Sequence, residues 1–387
     1  MALYALIAGE ASGDALGAGL VREIAARDPE ARIVGVAGPR MIEAGCEPLE
    51  RSEELAVMGL AEVLVHLPRL VRLRRNLVSR LRAMRPDCVV GIDSPEFNLG
   101  LEAELKRAGI PTVHYVSPSI WAWRPRRINK LKRACHRVLC LLPFEPRLYR
   151  RAGVDAVFVG HPLADAIPDV PDGAAARRIL GLSGDRPVVA LLPGSRHGEV
   201  SRLAAPMAGA ARLIRARRPD AVFVAPMAAP ELKASFHRAL AAEGMDPGVH
   251  LLDNGAHLSL TAADVALVAS GTATLEAMML KCPMVVAYRV APLTHFILRR
   301  LGLLRIRRYA LPNILAGRPL VPELMQGEAT AESLAAAALA WLEEPERASA
   351  YRAECRRLHR QMRRDANARA AEAVLSMARE PGLRHAG

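Results

Sequence analysis

Short apolar runs alternate with amphipathic stretches almost from one end of the chain to the other. This alternation is typical of a parallel sheet flanked by helices, because a buried strand is apolar throughout and a covering helix on one stripe only. A first series of strands is predicted near Leu3–Ala8, Arg32–Ala37, Cys88–Ile92, Thr112–Val116, Val138–Leu142 and Ala156–Val159. A second series is predicted near Val188–Leu192, Ala221–Ala225, Val249–Leu252, Val265–Ala269 and Met284–Ala287. From Ala329 to about Arg379 the pattern predicts helix, broken at Pro345.

The two series predict two domains, because the 387 residues are about twice what one hydrophobic core usually supports. Prolines and a glycine among aspartates in the segment 165–173 are typical of an interdomain link. We therefore predict an α/β protein with two Rossmann-like, doubly wound domains that face each other across a cleft. Their predicted ranges are 1–168 and 174–328, and a helical C-terminal segment follows over 329–387.

The first strand runs into a glycine-rich turn, Gly9-Glu10-Ala-Ser12-Gly13-Asp14. Ligands of open α/β sheets bind beyond the carboxyl ends of the strands, so this turn is a candidate substrate loop. Ser12 or Asp14 is expected to cap the helix that starts here. Because Glu10 and Asp14 would repel a phosphate, a sugar hydroxyl is the better ligand. The alternative is a capped strand-to-helix turn that binds nothing.

The strand Cys88–Ile92 ends at Asp93-Ser-Pro-Glu-Phe-Asn98. A carboxylate at the mouth of a buried strand is well placed to act as a general base, so Asp93 is a candidate catalytic residue. The alternative is that Asp93 caps the next helix.

Two tryptophans, Trp121 and Trp123, follow the next predicted strand and have three arginines behind them. The segment from His114 to Trp123 predicts either an amphipathic rim for a sugar or a lipid, or a hydrophobic lid over the sheet. Ser117 and Trp121 are its candidate substrate contacts.

In the second half, a strand runs into Gly194-Ser195-Arg196 and then into a helix. Backbone N–H groups at such a turn, together with a guanidinium, can grip a diphosphate. The alternative is a lone exposed arginine on a turn.

The strand Val265–Ala269 opens into Ser270, Gly271 and Thr272, where a helix N-terminus can hold phosphate. Glu276 follows at a position that could bridge a ribose diol, although a glutamate near the start of a helix is also favoured by the dipole. Asn313 lies in another turn and by itself indicates nothing.

The chain carries a net charge of +13, with 51% hydrophobic, 24% charged and 4% aromatic residues. This composition excludes a disordered chain, and the scarcity of aromatic residues argues against stacking platforms for single-stranded nucleic acid. The charge indicates an anionic partner, namely nucleic acid, a membrane surface or a phosphorylated substrate. Genomic bias competes with this interpretation, because Lys+Arg number 53 and only five of these are lysines.

Three stretches rich in arginine lack acidic residues: 63–86, 105–144 and 277–322. In the first, leucines at helical spacing predict a basic amphipathic helix, which favours a membrane surface; an ordinary helix with its stripe in the core is the alternative. No run approaches the roughly 18 apolar residues of a membrane span, no secretory signal precedes the first strand, and the six cysteines form no metal or disulfide pattern. We therefore expect a cytoplasmic protein whose membrane contact is peripheral.

Eight strings resemble the lipid-A-disaccharide synthase family, in order, from about residue 3 to about residue 375. In the first half they are Ala-Gly9-Glu-Ala-Ser-Gly-Asp14, Val57-Met-Gly59, Gly91-Ile-Asp93-Ser-Pro-Glu-Phe-Asn98 and His114-Tyr-Val-Ser-Pro-Ser-Ile-Trp-Ala-Trp123. In the second half they are Leu-Pro-Gly194-Ser-Arg196, Ala-Ser270-Gly-Thr-Ala-Thr-Leu-Glu276, Lys281-Cys-Pro-Met-Val-Val286 and Leu311-Pro-Asn313-Ile-Leu-Ala-Gly317. The string from His114 to Trp123 is specific to that family.

The resemblance implies an inverting glycosyltransferase of the two-domain glycosyltransferase-B type that needs neither a metal nor a cofactor. It would transfer 2,3-diacylglucosamine from its UDP derivative to 2,3-diacylglucosamine 1-phosphate (lipid X), and release UDP and a β-1,6-linked disaccharide 1-phosphate. The implied place of this step is lipid A synthesis, part of lipopolysaccharide biosynthesis, at the cytoplasmic face of the Gram-negative inner membrane.

By motif, the resemblance implies that Asp93 is the general base on the acceptor 6-hydroxyl and that Arg196 contacts the departing diphosphate. Glu276 and Asn313 fall where the family binds the UDP part, and the loop Gly9–Asp14 lines the cleft.

The family's membrane patch maps to the region 58–77. Its dimers exchange C-terminal elements, so the helices over 329–387 are expected to pack back on the N-terminal domain or to be exchanged in a homodimer. Arg305–Arg308 is more basic than the family pattern, which indicates either contact with anionic lipid or genomic bias. Membrane or acyl contacts are expected at Met58, Leu60, Val63, Leu67, Leu70 and Val71.

Three other functions remain open at this point. A UDP-sugar epimerase has the same architecture, but the basic aliphatic stretches favour an acylated substrate. A nucleic-acid-binding protein would explain the charge, but no nucleic-acid motif is present and we expect no such partner. A lipid-binding scaffold without catalysis would leave Asp93 and the loop 270–276 without a role.

Overall fold

A computed structural model describes residues 1–55, 60–118, 127–182, 184–290 and 308–380, with only the backbone described at 60–67 and 127. The strands are β1 Leu3–Ala8, β2 Arg32–Ala37, β3 Glu47–Arg51, β4 Cys88–Ile92, β5 Thr112–Tyr115, β6 Arg137–Cys140, β7 Asp155–Phe158, β8 Val188–Leu192, β9 Val222–Met227, β10 Val249–Asp253, β11 Val265–Ala269, β12 Met284–Tyr288 and β13 Glu323–Met325. The helices are α1 Ala11–Arg27, α2 Pro39–Glu43, α3 Leu60–Met84, α4 Pro95–Arg107, α5 Arg127–Ala134, α6 Glu145–Arg150, α7 Pro162–Ala166, α8 Gly173–Ile179, α9 His197–Arg217, α10 Pro230–Ala242, α11 Ala256–Ala262, α12 Thr272–Met279, α13 Leu311–Ala316, α14 Ala331–Glu343, α15 Pro345–Met362 and α16 Ala366–Arg379.

Each predicted strand is present, with ends within about two residues of the apolar run that predicted it. Two strands were not predicted, β3 and β13. Both lie at a sheet edge and consist of exposed or half-buried residues, so neither carries the apolar run that marks a buried strand.

The chain folds into two compact units, one formed by 1–165 with 361–387 and the other by 166–360. The first contains a seven-stranded parallel sheet of order β3-β2-β1-β4-β5-β6-β7. The second contains a six-stranded parallel sheet of order β10-β9-β8-β11-β12-β13. The chain passes back from the second unit to the first at 360/361. The helices predicted as one C-terminal segment, 329–387, are therefore shared between the two units.

Both sheets reverse their strand order at one internal position, between β1 and β4 in the first and between β8 and β11 in the second. At these positions Ala8 pairs with Ile92, and Leu192 pairs with Val268. Loops that leave neighbouring strands at such a switch point diverge, and the opening between them is where α/β proteins bind ligands. The candidate loops of the sequence therefore lie where this fold provides a site.

Helices cover both faces of the first sheet. On one face, α1 and α16 pack Ile24 and Val374 against Leu6 and Ile92, and on the other α3 and α4 cover the alternate residues of β1. The second half of α3 contributes Leu77 and Leu81, both fully buried, to this second face. The membrane interpretation of the leucine stripe is therefore wrong from Leu73 onward, because Leu77 and Leu81 are buried in the core and Leu73 packs against it.

The predictions at Met58 and at Arg305–Arg307 lie outside the described residues, and those at Leu60, Val63 and Leu67 concern side chains outside the described part of α3. In the described part of the chain, no helix is long and apolar enough to span a membrane. All six cysteines are buried and unpaired.

The prediction that Ser12 or Asp14 caps the first helix is wrong. The N-cap of α1 is Glu10, without a side-chain cap, and Asp14 lies inside the first turn. The Asp14 carboxylate is 3% exposed and accepts hydrogen bonds from the N–H groups of Gly38, Arg40 and Met41, each at 3.0 Å. It therefore caps α2, a helix that is distant along the chain but adjacent to it in space.

We expect Asp14→Ala to lower the free energy of unfolding by about 3 kcal/mol, because three N–H donors lose a charged acceptor in a buried position. Glu23→Ala is the matched control on the same helix; it removes an exposed ion pair with Arg27 and should cost less than about 1 kcal/mol. Urea unfolding followed by circular dichroism measures both. Equal costs for the two variants would contradict the assigned cap.

Candidate functional site

A cavity of ≈ 430 Å³ lies at the switch point of the second sheet. The loop after β8 contributes Gly194, Ser195 and Arg196 to its lining, and the loop after β11 contributes Ser270 to Thr272. The structure thus brings together the two segments of this unit that the sequence predicted to hold a diphosphate.

The start of α12 provides the donors on one side of the cavity. The N–H group of Ser270 is already bonded to the Ala287 carbonyl at 2.9 Å, so the expectation that this residue offers an N–H donor is wrong. The helix begins at Thr272 with Gly271 as N-cap, and the first N–H groups of a helix have no partner within it. Gly271 and Thr272 are therefore the residues of this loop that can donate to an anion.

On the other side of the cavity, the donors are already hydrogen-bonded to the Glu199 carboxylate. One of its oxygens accepts from the N–H groups of Ser195, at 3.0 Å, and Arg196, at 3.4 Å. Its other oxygen lies 3.7 Å from the Arg196 guanidinium, whose side chain is 82% exposed. Arg196 is thus not a lone arginine on a turn. A carboxylate thus accepts from the N–H groups that the sequence predicted to hold a phosphate, and Glu199 is a residue that sequence reasoning missed.

Gly194 is required by this arrangement. Its φ is +126°, and a Cβ at this position would lie 2.5 Å from the Cβ of Glu199. Any side chain would therefore both strain the turn and displace the glutamate.

Glu276 lies in the second turn of α12, so a favourable interaction with the helix dipole in the first turn does not explain it. Its carboxylate is 3.2 Å from Nδ1 of His257 on α11, a contact that the sequence did not reveal. The described residues that line the cavity include neither Glu276 nor Asn313.

Asn313 is 2% exposed and is fully used within the chain. Its amide donates to the Val321 carbonyl and to Glu323, and its oxygen accepts from the N–H groups of Leu320 and Val321. These bonds use both donors and both acceptor positions of the side chain. The structure therefore gives Asn313 the role of holding the turn before β13.

The switch point of the first sheet carries Asp93 and the loop Gly9–Asp14. A Cβ on Gly9 would lie 3.0 Å from Oγ of Ser94, so the two segments are in contact there. Glu10 and Ser12 are exposed, whereas Gly13 and Asp14 are buried. The predicted substrate loop thus presents Glu10 and Ser12 outward, while Asp14 belongs to its framework.

Asp93 does not cap the next helix. The N-cap of α4 is Ser94, and the Asp93 N–H donates to the Tyr115 carbonyl at 2.8 Å. No hydrogen bond of the Asp93 carboxylate occurs within the described residues, and the side chain is half-buried. Such a carboxylate can accept a proton from a bound hydroxyl.

Backbone strain gathers at the carboxyl ends of β4 and β5. Asp93, Ser94 and Val116 have φ values of 52°, 43° and 79°. The left-handed region is unfavourable for residues other than glycine, most of all for a β-branched valine. Strain of this kind persists only where the surrounding structure imposes it and is common at functional sites.

Ser117 is buried, and its hydroxyl lies 2.8 Å from that of Tyr149. Burial raises the pKa of the Tyr149 phenol above its ordinary value. Trp121, the other candidate contact of this segment, lies outside the described residues.

A buried hydrogen-bonded pair that sequence reasoning missed lies beside Gly91 of β4. Glu102 and Nδ1 of His114 are 2.8 Å apart, and both side chains are 0% exposed. Burial raises the pKa of Glu102, and His114 offsets part of that rise. Gly91 makes room for the pair, since a Cβ there would lie 2.0 Å from Glu102.

Comparison with solved structures supports the fold class. The glycotransferase of kitacinnamycin matches with a TM-score of 0.62 at 18% identity, over 97% of this chain and 98% of that one. The calicheamicin glycosyltransferase CalG4 matches with a TM-score of 0.62 at 19% identity, over 97% and 98%. A UDP-GlcNAc 2-epimerase from Neisseria meningitidis matches with a TM-score of 0.66 at 12% identity, over 97% and 100%. At these identities the likeness concerns the fold, and the predicted pair of Rossmann-like domains of the glycosyltransferase-B class is confirmed.

Comparison of sequences identifies the family. The family model described as lipid-A-disaccharide synthetase matches residues 4–377. Lipid-A-disaccharide synthases from Xylella fastidiosa (strain 9a5c) and Xanthomonas campestris pv. campestris (strain 8004) are 52% identical over 374 residues, or 96% of this chain and 97% and 85% of theirs. The same enzyme from Alkalilimnicola ehrlichii is 52% identical over 376 residues, or 97% of this chain and 98% of its own. The resemblance drawn from the motifs is thereby confirmed, and the chain belongs to the lipid-A-disaccharide synthase family of glycosyltransferases.

Proposed function

We propose that this chain transfers 2,3-diacylglucosamine from its UDP derivative to the 6-hydroxyl of 2,3-diacylglucosamine 1-phosphate, and releases UDP and the lipid A disaccharide 1-phosphate. The observation that carries the proposal is the cavity of ≈ 430 Å³ at the switch point of the second sheet, where the first N–H groups of α12 and the Arg196 guanidinium occur together. This combination suits a nucleoside diphosphate. Family membership narrows the reaction to glycosyl transfer in lipid A disaccharide synthesis.

The second unit then binds the donor. The bond between the anomeric carbon and the diphosphate oxygen breaks, and its electron pair leaves with UDP. The N–H groups of Gly271 and Thr272 and the guanidinium of Arg196 stabilise the negative charge that develops on the diphosphate. Glu276 is the candidate partner of the ribose diol, held in place by His257.

The first unit then activates the acceptor. The Asp93 carboxylate takes the proton of the 6-hydroxyl as its oxygen forms the bond to the anomeric carbon from the face opposite UDP. Inversion at that carbon follows from this direction of attack.

We also assign the protein a peripheral contact with an anionic membrane through the described end of α3 at Leu70–Arg75. Leu70 and Val71 are half-buried there and do not belong to the core cluster that takes up Leu73, while Arg72 and Arg75 are exposed. Apolar side chains flanked by arginines suit the interface of a bilayer that contains anionic lipid.

Asp93→Ala should lower turnover by about 10²- to 10⁴-fold, the usual contribution of a general base, while UDP affinity stays unchanged. The assay incubates the protein with UDP-diacylglucosamine and lipid X and detects the disaccharide by mass spectrometry; calorimetry measures UDP binding. Glu96→Ala is the control, because it removes an exposed carboxylate three residues away, and it should keep turnover within about twofold. Near-normal turnover of Asp93→Ala would overturn the base assignment, and an epimer formed from UDP-N-acetylglucosamine would favour the epimerase.

Glu199→Gln should tighten UDP binding about fivefold, because removing the negative charge beside the proposed diphosphate donors relieves ~1 kcal/mol of repulsion. Arg196→Lys should weaken binding, since a lysine cannot form the bidentate contact of the guanidinium. Titration calorimetry at constant ionic strength measures both. Weaker binding by Glu199→Gln would mean that the carboxylate supports the loop more than it competes with the ligand.

The double variant Arg72→Gln with Arg75→Gln should lower binding to vesicles of phosphatidylglycerol and phosphatidylcholine about 30-fold, from ~1 kcal/mol per arginine. Arg150→Gln with Arg151→Gln removes the same charge from another exposed pair and is the matched control. Sedimentation with the vesicles gives the bound fraction. Equal losses in the two double variants would show that net charge alone attracts the protein to the lipid.

A further inference from the structure

Asn98 joins the two strand ends at the switch point of the first sheet. It lies on α4, is 0% exposed, and its amide nitrogen is within hydrogen-bond distance of three main-chain carbonyls. These are Ile7 at 3.2 Å, Ile92 at 3.2 Å and Asp93 at 2.9 Å. Ile7 belongs to β1, which leads into the loop Gly9–Asp14, and Ile92 is the last residue of β4. One side chain therefore ties together the strands that carry both candidate segments of this unit.

The backbone that Asn98 holds is strained. Asp93 and Ser94 are consecutive residues in the left-handed region, an unfavourable conformation that persists only where the surrounding structure imposes it. The Asn98 amide fixes the carbonyl of Asp93, and the Tyr115 carbonyl fixes its N–H group. With both polar groups of its peptide backbone held, the Cα–Cβ bond of Asp93 has a fixed direction, from which the carboxylate projects.

Stability alone does not account for an asparagine at this position. Within the described residues its Oδ1 has no hydrogen-bond partner, although it is buried. A buried, unpaired polar atom is unfavourable. The side chain packs closely against β4, since a Cβ on Gly91 would lie 3.0 Å from the Cβ of Asn98. The amide nitrogen of Asn98 is thus fully used as a donor, while its oxygen stays without a donor among the described residues.

We propose that Asn98 is a positioning residue, which directs the Asp93 carboxylate toward the acceptor hydroxyl by holding the left-handed backbone at 93–94 and linking it to the end of β1. This inference rests on the proposed function, since it assumes that Asp93 is the general base.

The test compares Asn98→Leu, which keeps the volume and removes the donor, with the wild-type chain. Turnover should fall about 10²-fold, as expected for a misplaced catalytic group, with little change in the KM of lipid X and none in UDP affinity. Thr112→Val is the matched control. The Thr112 hydroxyl donates to the Ala134 carbonyl at 3.1 Å, and the substitution removes this buried donor. Thr112 begins β5, whereas the Tyr115 carbonyl that contacts Asp93 lies at the other end of the strand. Thr112→Val should lower the unfolding midpoint and leave turnover unchanged.

A double-mutant cycle separates positioning from general damage. Because Asn98 acts through Asp93, Asn98→Leu should cause no further loss in the residual rate of Asp93→Ala. The inference is overturned if the turnover losses of the two single variants multiply in the double variant. It is also overturned if Asn98→Leu has normal turnover while Asp93→Ala has lost turnover. Normal turnover of Asp93→Ala would instead overturn the base assignment itself. If Asn98→Leu does not fold, Asn98→Ser, which keeps one donor, replaces it and should show the same pattern at a smaller size.

Discussion

The reversal of strand order in each parallel sheet is the constraint on which the candidate sites depend. In the first sheet α1 leaves β1 toward one face and α4 leaves β4 toward the other, as their packing in separate core clusters shows. Two loops that diverge in this way leave the carboxyl ends of their strands open, whereas elsewhere along the sheet successive loops cover each other. Asp93 with the Gly9 loop, and Arg196 with the start of α12, occupy the two openings.

Both openings contain features that a structure selected for stability alone would avoid. At the first opening these are the positive φ values of Asp93, Ser94 and Val116, and the buried Glu102–His114 pair. In the second, the Glu199 carboxylate takes the N–H groups that suit a phosphate. Locally unfavourable groups that the surrounding fold holds in place are typical of sites prepared for a ligand.

The fold separates the arginines of α3 that form ion pairs within the chain from those that are exposed to solvent. In α3, Arg69, Arg74 and Arg80 pair with the acids Glu54, Glu104 and Glu50 of neighbouring segments. Arg72 and Arg75 are exposed. Part of the acid-free stretch is thus neutralised by residues distant along the chain, so a count along the sequence overstates the charge that a partner meets.

The sequence by itself determined the eleven strands that carry an apolar run, the break at Pro345, the switch-point loops and the family, because each depends on residues close together in the chain: an apolar run, a proline, or a short motif. Tertiary structure alone decided what several of those residues do. Asp14 caps α2 rather than its own helix, and the Asn313 side chain makes all its hydrogen bonds within a turn. Glu199 accepts from an N–H group that the sequence predicted to bind an anion. The stripe of α3 divides between core and surface, and Asn98 joins two strands whose sequences lie 91 and 6 residues away. Hydrogen bonding and burial depend on which groups are close in space, and the pattern of residues along the chain does not specify which distant groups these are.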